Sequence, residues 1–498
     1  MLKQQMARLG KGALIYGVGS LLNRFIGFLL LPVFTSYLTP ADFGVSSILS
    51  WVAFLITPVF SLGLGAAIAP CYFDGNNKER KETTIWTSFT VLAGSAFFLA
   101  TLGIGFARPI SQLAFQTPEY HYLVMISLLG TSLSFLSMPF PLYLQFEERA
   151  KLFVVLTTVT SLVSIGLSFL MVVVLGRGIQ GMIEAGLIGQ VVTLIIFLSL
   201  GISKIKFWFS SALIKELLRM GIPLIPGFAF IFILQQGNKY ILQWFDGLDA
   251  VGIYTIGFNF GLVMSLFVSA LQSAWVPYFM SFADKHAEAR VLFGRILTYY
   301  VFGFGTISLL FFIVAKPMVM LMTQPAFHEA YKVVGLSASA NFLAGVFFIL
   351  LPGMYFAKEV KYVSLIQLFA ALVAIGLNLL LIPLFGLLGA AIALMVGFVA
   401  MAFFTQLWNL KRKHIYIQVQ YEWKRVMQFA LIYASYIVVF MFWERCLSLL
   451  GEVAISLVAL AFLPIAMYGL LNSHERKSLW ALVKHFTSKS APEWHAKA

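Results

Sequence analysis

Gly12-Ala13-Leu14-Ile15-Tyr16-Gly17-Val18-Gly19-Ser20-Leu21-Leu22-Asn23-Arg24-Phe25-Ile26-Gly27-Phe28-Leu29-Leu30-Leu31-Pro32-Val33 is the stretch whose reading decides the fold. About 20 apolar residues are needed to cross a hydrocarbon core of roughly 30 Å, and this run supplies them with a single charge, Arg24. Lys3, Arg8 and Lys11 precede it in the manner of a secretory signal. The run is too long for a signal core of about 7 to 15 residues, and Thr39-Pro40-Ala41-Asp42 follows it where a small-residue cleavage site would stand. It reads as a first membrane span.

The rest of the 498-residue chain has the same character, with 60% hydrophobic residues, 11% charged residues and a mean hydropathy of +0.90. Soluble domains carry about 25% charged residues, so no water-soluble fold could hide this surface. Backbone inside a bilayer must bond to itself, which makes the spans helices. Fourteen are predicted: 12–33, 43–70, 85–107, 120–146, 152–175, 179–201, 221–245, 250–275, 296–315, 331–356, 362–382, 387–408, 426–444 and 453–471. Cys71 and Cys446 fall at span ends on opposite faces, so a disulfide between them is not expected.

A net charge of +14 could point to nucleic acid, but the positions of the cations give another reason for it. With the N-terminus inside, 27 Lys and Arg lie in the tails and loops of that side and 5 on the other, while Arg24 and Lys239 lie within spans. By the positive-inside rule both termini are cytoplasmic, and the charge serves topology rather than a nucleic-acid partner. Residues 203–220, with Lys204, Lys206, Lys215 and Arg219 among Ile205, Phe207, Trp208, Phe209, Leu213, Leu217 and Leu218, read as an interfacial amphipathic helix.

Landmarks recur at a nearly constant spacing. Phe43-Gly44 is matched by Val251-Gly252-Ile253-Tyr254, Ala69-Pro70-Cys71-Tyr72-Phe73 by Val276-Pro277-Tyr278-Phe279, Tyr143 and Glu147-Glu148-Arg149 by Tyr355 and Glu359-Val360-Lys361, Gly166-Leu167-Ser168-Phe169-Leu170 by Gly376-Leu377-Asn378-Leu379-Leu380, and Gly178 with Gly181 by Gly386 with Gly389. The spacing, near 207 to 212 residues, covers six spans. An even number gives two copies of the same orientation, the parallel-repeat plan of alternating-access transporters. The expected organisation is an N-terminal lobe over 1–202, a cytoplasmic amphipathic linker over 203–220, a C-terminal lobe over 221–408, two further spans within 409–471 and a cytoplasmic tail over 472–498.

Asn23-Arg24-Phe25-Ile26-Gly27-Phe28-Leu29-Leu30-Leu31-Pro32 and Tyr37-Leu38-Thr39-Pro40-Ala41-Asp42-Phe43-Gly44 resemble the N-terminal pattern of the polysaccharide and O-antigen (Wzx-type) flippases of the multidrug/oligosaccharidyl-lipid/polysaccharide exporter superfamily. So do Glu147-Glu148-Arg149-Ala150-Lys151, Gly221-Ile222-Pro223-Leu224-Ile225-Pro226 and Ala274-Trp275-Val276-Pro277-Tyr278. The resemblance covers nearly the whole chain. It implies an all-α, MATE-like, two-lobed bundle in the bacterial inner membrane that carries undecaprenyl-diphosphate-linked oligosaccharide from the cytoplasmic to the periplasmic leaflet. Its partners would be that lipid-linked anionic glycan, membrane lipids and polysaccharide assembly enzymes. Family members commonly carry an Asp-Arg pair late in span seven, where this chain has Asn238-Lys239, so an ion pair there is in doubt.

Arg24 lies near mid-membrane, where a charge costs about 2.5 to 3.5 kcal/mol on insertion scales. Its paired donors suit a diphosphate, and a structural clamp is the competing reading. Lys239, near the outer end of span seven, corresponds roughly to Arg24 in the second copy and could instead snorkel. Asn23, Asn238, Gln235 and Gln236 are candidates for sugar hydroxyls or for helix packing. Glu184 is the carboxylate well inside a span of the first half: a coupling site, a partner of Arg24 or an interfacial anchor. Pro58, Pro70, Pro223, Pro226 and Pro277 mark hinges or static kinks. The seven histidines are scattered without metal-ligand spacing, and no phosphate-binding glycine loop, nucleophile elbow or clustered acid pair occurs. Neither a catalytic site nor a cofactor is expected. The competing functions are a cation-coupled drug exporter, which would want acidic cavity residues, and a polysaccharide polymerase or ligase, which would want a large periplasmic loop.

Overall fold

A computed structural model describes residues 26–74, 77–282, 286–357, 359, 361–411 and 419–443, together with Gly469 and Arg476. Asn23 and Arg24 of span one, Glu444, Cys446, nearly all of span fourteen and the tail apart from Arg476 lie outside the described residues. The protein is an all-α polytopic membrane protein. Ten helices among the described residues are long and apolar enough to cross a bilayer. One of them, Ser211–Gly261, is three elements in succession, because Gly247 at φ 81°, ψ −176° is not helical and turns the chain back on itself. The linker helix Ser211–Gly221, span seven and the start of span eight follow one another there. Spans two to twelve are thus each found, and span thirteen is the helix Trp423–Trp443.

The chain divides into two compact units, Met1–Ala274 with Ala315–Tyr416 and Trp275–Val314 with Ile417–Ala498. In the first, span two starts at a capping box: Thr39 Oγ1 accepts from the Asp42 amide at 3.2 Å, Asp42 Oδ2 accepts from the Thr39 amide at 2.8 Å, and Pro40 holds the first helical position. Such a cap contributes about 1 kcal/mol. Span two is broken at Leu62 (φ 53°) and Gly63 (φ 65°) between the helices Pro40–Phe60 and Leu64–Phe73, with Pro58 and Pro70 on either side. Spans four and ten break at prolines in the same way: Pro139 opens the short helix Pro139–Phe146 and Pro352 opens Pro352–Phe356.

The duplication read from the sequence is present as repeated contacts. Spans five and six (Ala150–Phe169 with its continuation to Val174, and Gly178–Lys204) form a hairpin, as do spans eleven and twelve (Lys361–Phe385 and Leu387–Lys411). Gly178 at φ 55° and Gly386 at φ 54° make the two turns. A side chain on Gly181 would come within 3.0 Å of the Met171 carbonyl, and one on Gly389 would overlap the Leu381 carbonyl. Lower in the hairpins, a Cβ on Gly189 would stand 3.0 Å from Ser164 Cβ, and one on Gly397 would stand 3.0 Å from Ala374 Cβ. Glycine is required at these positions because the helices touch backbone to side chain there.

The second unit joins span thirteen to the part of span nine (His286–Met322) that lies within it. The Ser308 and Tyr433 hydroxyls are 2.8 Å apart, the Arg425 guanidinium lies 5.2 Å from the centre of the Phe302 ring, and the Gln420 amide donates to the Arg290 carbonyl at 2.9 Å. Span thirteen falls outside the duplication and packs on a span that belongs to it.

Candidate functional site

Spans seven and eight run antiparallel about Gly247, which brings Asn238 and Lys239 against residues 254–258. Asn238 is buried; its Nδ2 donates to the Tyr254 hydroxyl and reaches the Ala390 carbonyl of span twelve at 3.5 Å. Its Oδ1 has no partner among the described residues. Lys239 is 7% exposed, so its ammonium does not snorkel outward. Nζ lies 5.3 Å from the centre of the Phe258 ring, and among the described residues no carboxylate pairs with it. Gln235 is exposed on the face that Lys239 shares at one-turn spacing, and Gln236 is half-buried.

Magnitudes decide what this arrangement wants. A charge at the centre of a membrane span costs about 2.5 to 3.5 kcal/mol on insertion scales, and less toward the outer end where Lys239 lies. A desolvated cation over an aromatic face recovers about 2 kcal/mol. The ammonium thus has a ring beside it and, among the described residues, no carboxylate, an environment with room to pair with an anion. Among the described residues, Asn238 Oδ1 and Gln243 Oε1 of span seven and Asn378 Oδ1 of span eleven, whose Nδ2 donates to the Ala374 carbonyl at 2.7 Å, are buried acceptors without donors. Buried amide oxygens of this kind ordinarily find hydroxyl or water donors.

Glu184 stands in a different setting. Its carboxylate pairs with Arg177 through both oxygens, and Oε1 also accepts from Tyr122 at 3.0 Å and from Gln180 at 2.9 Å. The charge is neutralised where it stands, and the cluster ties the start of span four to the turn between spans five and six. Among the described residues no group of three His, Cys, Asp or Glu could hold a metal ion.

The linker is bound to the first copy rather than free. Leu213 and Leu217 of the helix Ser211–Gly221 are buried against spans two and three, while Lys215 and Arg219 are exposed. Arg80 at the head of span three bridges Asp74 at 2.6 Å and Glu216 at 3.2 Å, and the Trp86 indole donates to the Ile205 carbonyl at 3.2 Å. The helix expected over 203–220 occupies Ser211–Gly221, and its apolar face covers protein.

Sequence reasoning passed over Gln243, Tyr254 and Phe258. Gln243 was findable, since it follows Lys239 by one helical turn. Tyr254 and Phe258 were not, because only the Gly247 turn sets which residue of span eight faces which residue of span seven.

A structure described as "Lipid II flippase MurJ, inward closed conformation" is similar to this chain at a TM-score of 0.70 and 15% identity, over 91% of this chain and 99% of that one. One described as the inward-facing conformation of a multidrug resistance MATE family transporter of the MOP superfamily is similar at 0.62 and 16% identity, over 77% and 93%. Both likenesses concern the fold. No curated protein matches the sequence. Residues 9–283, more than half of the chain and inclusive of the hairpin that carries Asn238, Lys239, Tyr254 and Phe258, match the family described as "Polysaccharide biosynthesis protein", and the chain belongs to that family.

Proposed function

We propose that the protein is a flippase that carries a polyprenyl-diphosphate-linked oligosaccharide from the cytoplasmic to the periplasmic leaflet of the bacterial inner membrane, both termini being cytoplasmic. The observation that carries the reading is Lys239, a buried cation beside an aromatic ring, without a carboxylate among the described residues and in a family of polysaccharide biosynthesis proteins. An ammonium in that state favours an anionic head group over the cationic drugs an exporter of the same fold would take. Asn238, Gln235 and Gln236 supply amides of the kind that bond sugar hydroxyls. Arg24, with Asn23 beside it, is the second cation of the proposal; it lies four residues before Phe28, whose ring stands 5.0 Å from Phe260 of span eight.

The arrangement divides the labour between head and tail. The diphosphate and glycan are held by cations and amides between the copies while the polyprenyl chain stays in lipid, and the lobes alternate because the cargo binds their two arrangements unequally. Glu184 is a weaker candidate for coupling than for anchoring, since Arg177 already neutralises it.

The test is reconstitution in vesicles that hold a labelled polyprenyl-diphosphate oligosaccharide in one leaflet. The expected result is protein-dependent transfer to the other leaflet. Transfer of cationic dyes, with the diphosphate lipid left in place, would overturn the proposal in favour of drug export.

A further inference from the structure

Span six ends at Lys204, and the strap of residues 205–210 that leads to the linker helix is not helical. Both ends of the strap are fastened to span three: the Trp86 indole donates to the Ile205 carbonyl at 3.2 Å, and the Ser210 amide donates to Thr87 Oγ1 at 3.2 Å. Trp86 and Thr87 stand where the apolar stretch of span three begins, so the strap lies at the level of the membrane boundary. Between the fastenings Phe207, Trp208 and Phe209 are 66%, 45% and 50% exposed. Three successive aromatic residues turned outward mark a contact surface rather than a loop in water. Nor does the strap suit the hydrocarbon, because non-helical backbone facing lipid leaves its polar groups unsatisfied there. The layer that fits both facts is the head-group region, where aromatic rings anchor membrane proteins.

Charge decides which head groups. Lys204 and Lys206 stand at the start of the strap, and Lys215 and Arg219 lie one turn apart on the linker helix, on the side opposite the buried Leu213 and Leu217. All four cations are exposed, and none pairs with a carboxylate among the described residues. Glu216, the acid beside Lys215, is taken by Arg80. We propose that the strap and the outer side of the linker helix form one docking surface for anionic phospholipids of the leaflet that the charge asymmetry assigns to the cytoplasm. The rings enter the head-group layer and the four cations pair with lipid phosphates, the choice of partner that a basic cluster directly after a membrane helix makes. The linker helix thus meets the membrane with its charges while its leucines hold protein, the reverse of an interfacial helix that sinks its apolar face into lipid. The surface is built in advance, because the strap is tied at both ends and the Phe207 ring also rests 5.2 Å from the Trp86 ring.

This surface does not depend on the identity of the cargo. The test equilibrates full-length protein in detergent with equal amounts of phosphatidylglycerol and phosphatidylethanolamine and counts the retained lipids by native mass spectrometry. The parent should retain phosphatidylglycerol several-fold over phosphatidylethanolamine, and Lys206→Gln combined with Lys215→Gln should remove most of that preference, as should added salt. Lys151→Gln combined with Lys361→Gln takes the same charge from other connections of that side and should leave the preference unchanged. No preference in the parent, or an equal loss in both double variants, would overturn the proposal. Position is read separately in nanodiscs of phosphatidylglycerol with brominated chains. The tryptophan emission that Trp208→Phe removes should be quenched more by bromine close to the head group than by bromine near the chain end. Emission that neither lipid quenches would put Trp208 in water and overturn the membrane reading in favour of a protein partner.

Discussion

The two copies of the six-span unit agree in backbone and disagree in charge. In the first, the turn between spans five and six carries Arg177 and Glu184 paired with each other, and Tyr122 reaches the pair from span four. In the second, the same turn has Phe385 and Ile392 at the corresponding places, and Asp246 from the end of span seven lies beside Gly386. In span seven the second copy carries Lys239, beside the Phe258 ring and, among the described residues, without a carboxylate. Duplication preserved the glycines that let helices touch, since any side chain there would push them apart, and left charges free to diverge. Where both copies keep a residue type, packing explains it.

The difference would break most visibly at Lys239. Replacing it with Gln removes a buried charge that packing does not require, so the protein should accumulate to normal amounts and melt no lower. Export, measured by transfer of the labelled diphosphate lipid, should fall at least about tenfold, since hydrogen bonds to charged groups contribute about 1.5 to 3 kcal/mol. Lys239→Arg should retain part of the activity, because a guanidinium also pairs with phosphate. Normal export by Lys239→Gln would make the contrast between copies an accident of drift.

The shared framework can be sharpened by paired substitutions. Gly389→Ala forces a Cβ into the Leu381 carbonyl and should lower stability by about 2 kcal/mol, within the range for overpacking. Gly181→Ala meets the Met171 carbonyl at 3.0 Å and should cost about half as much. Gly178→Ala and Gly386→Ala place alanine at φ 55° and φ 54°, so each should cost about 1 kcal/mol, with Gly386→Ala the costlier because its Cβ meets Asp246 Oδ2 at 3.0 Å while Gly178 faces open space. Thermal unfolding in one detergent measures all four. Equal costs for the last pair would mean that the Asp246 side chain gives way without penalty.

Much of the framework could be read from residues because its causes are local. Apolar length set spans two to thirteen, although the helices run on past the apolar stretch: span three was read as 85–107 and is the helix Lys78–Phe115, whose polar turns extend beyond the hydrocarbon. Repeated glycines exposed the duplication for the same reason, as contacts between neighbouring helices. The candidate site was less legible. Asn238 and Lys239 stood out as polar residues in a span, but whether Lys239 snorkels or is covered depends on Phe258, nineteen residues on and across a turn made by Gly247. Glu184 stood out too. Its neutralisation depends on Arg177, two turns earlier, and on Tyr122 from another span, a combination no local pattern announces.

Glu184→Gln gives the smallest expected effect and tests the other side of the contrast. The pair with Arg177 is partly open to solvent, the arginine side chain being 42% exposed, and exposed pairs contribute about 0.2 to 1 kcal/mol. An amide keeps the shape, can still accept from Tyr122 and loses only the charge, so stability should drop by about 0.5 kcal/mol and export should stay within about twofold of the parent. Arg177→Gln should do the same, and the double variant should cost little more than either alone, because each single change already removes the pair. Were Glu184→Gln to abolish export at normal abundance while Arg177→Gln did not, the carboxylate would be acting on something other than its arginine. The first copy would then hold a proton or cation coupling group in addition to the proposed cargo cation Arg24.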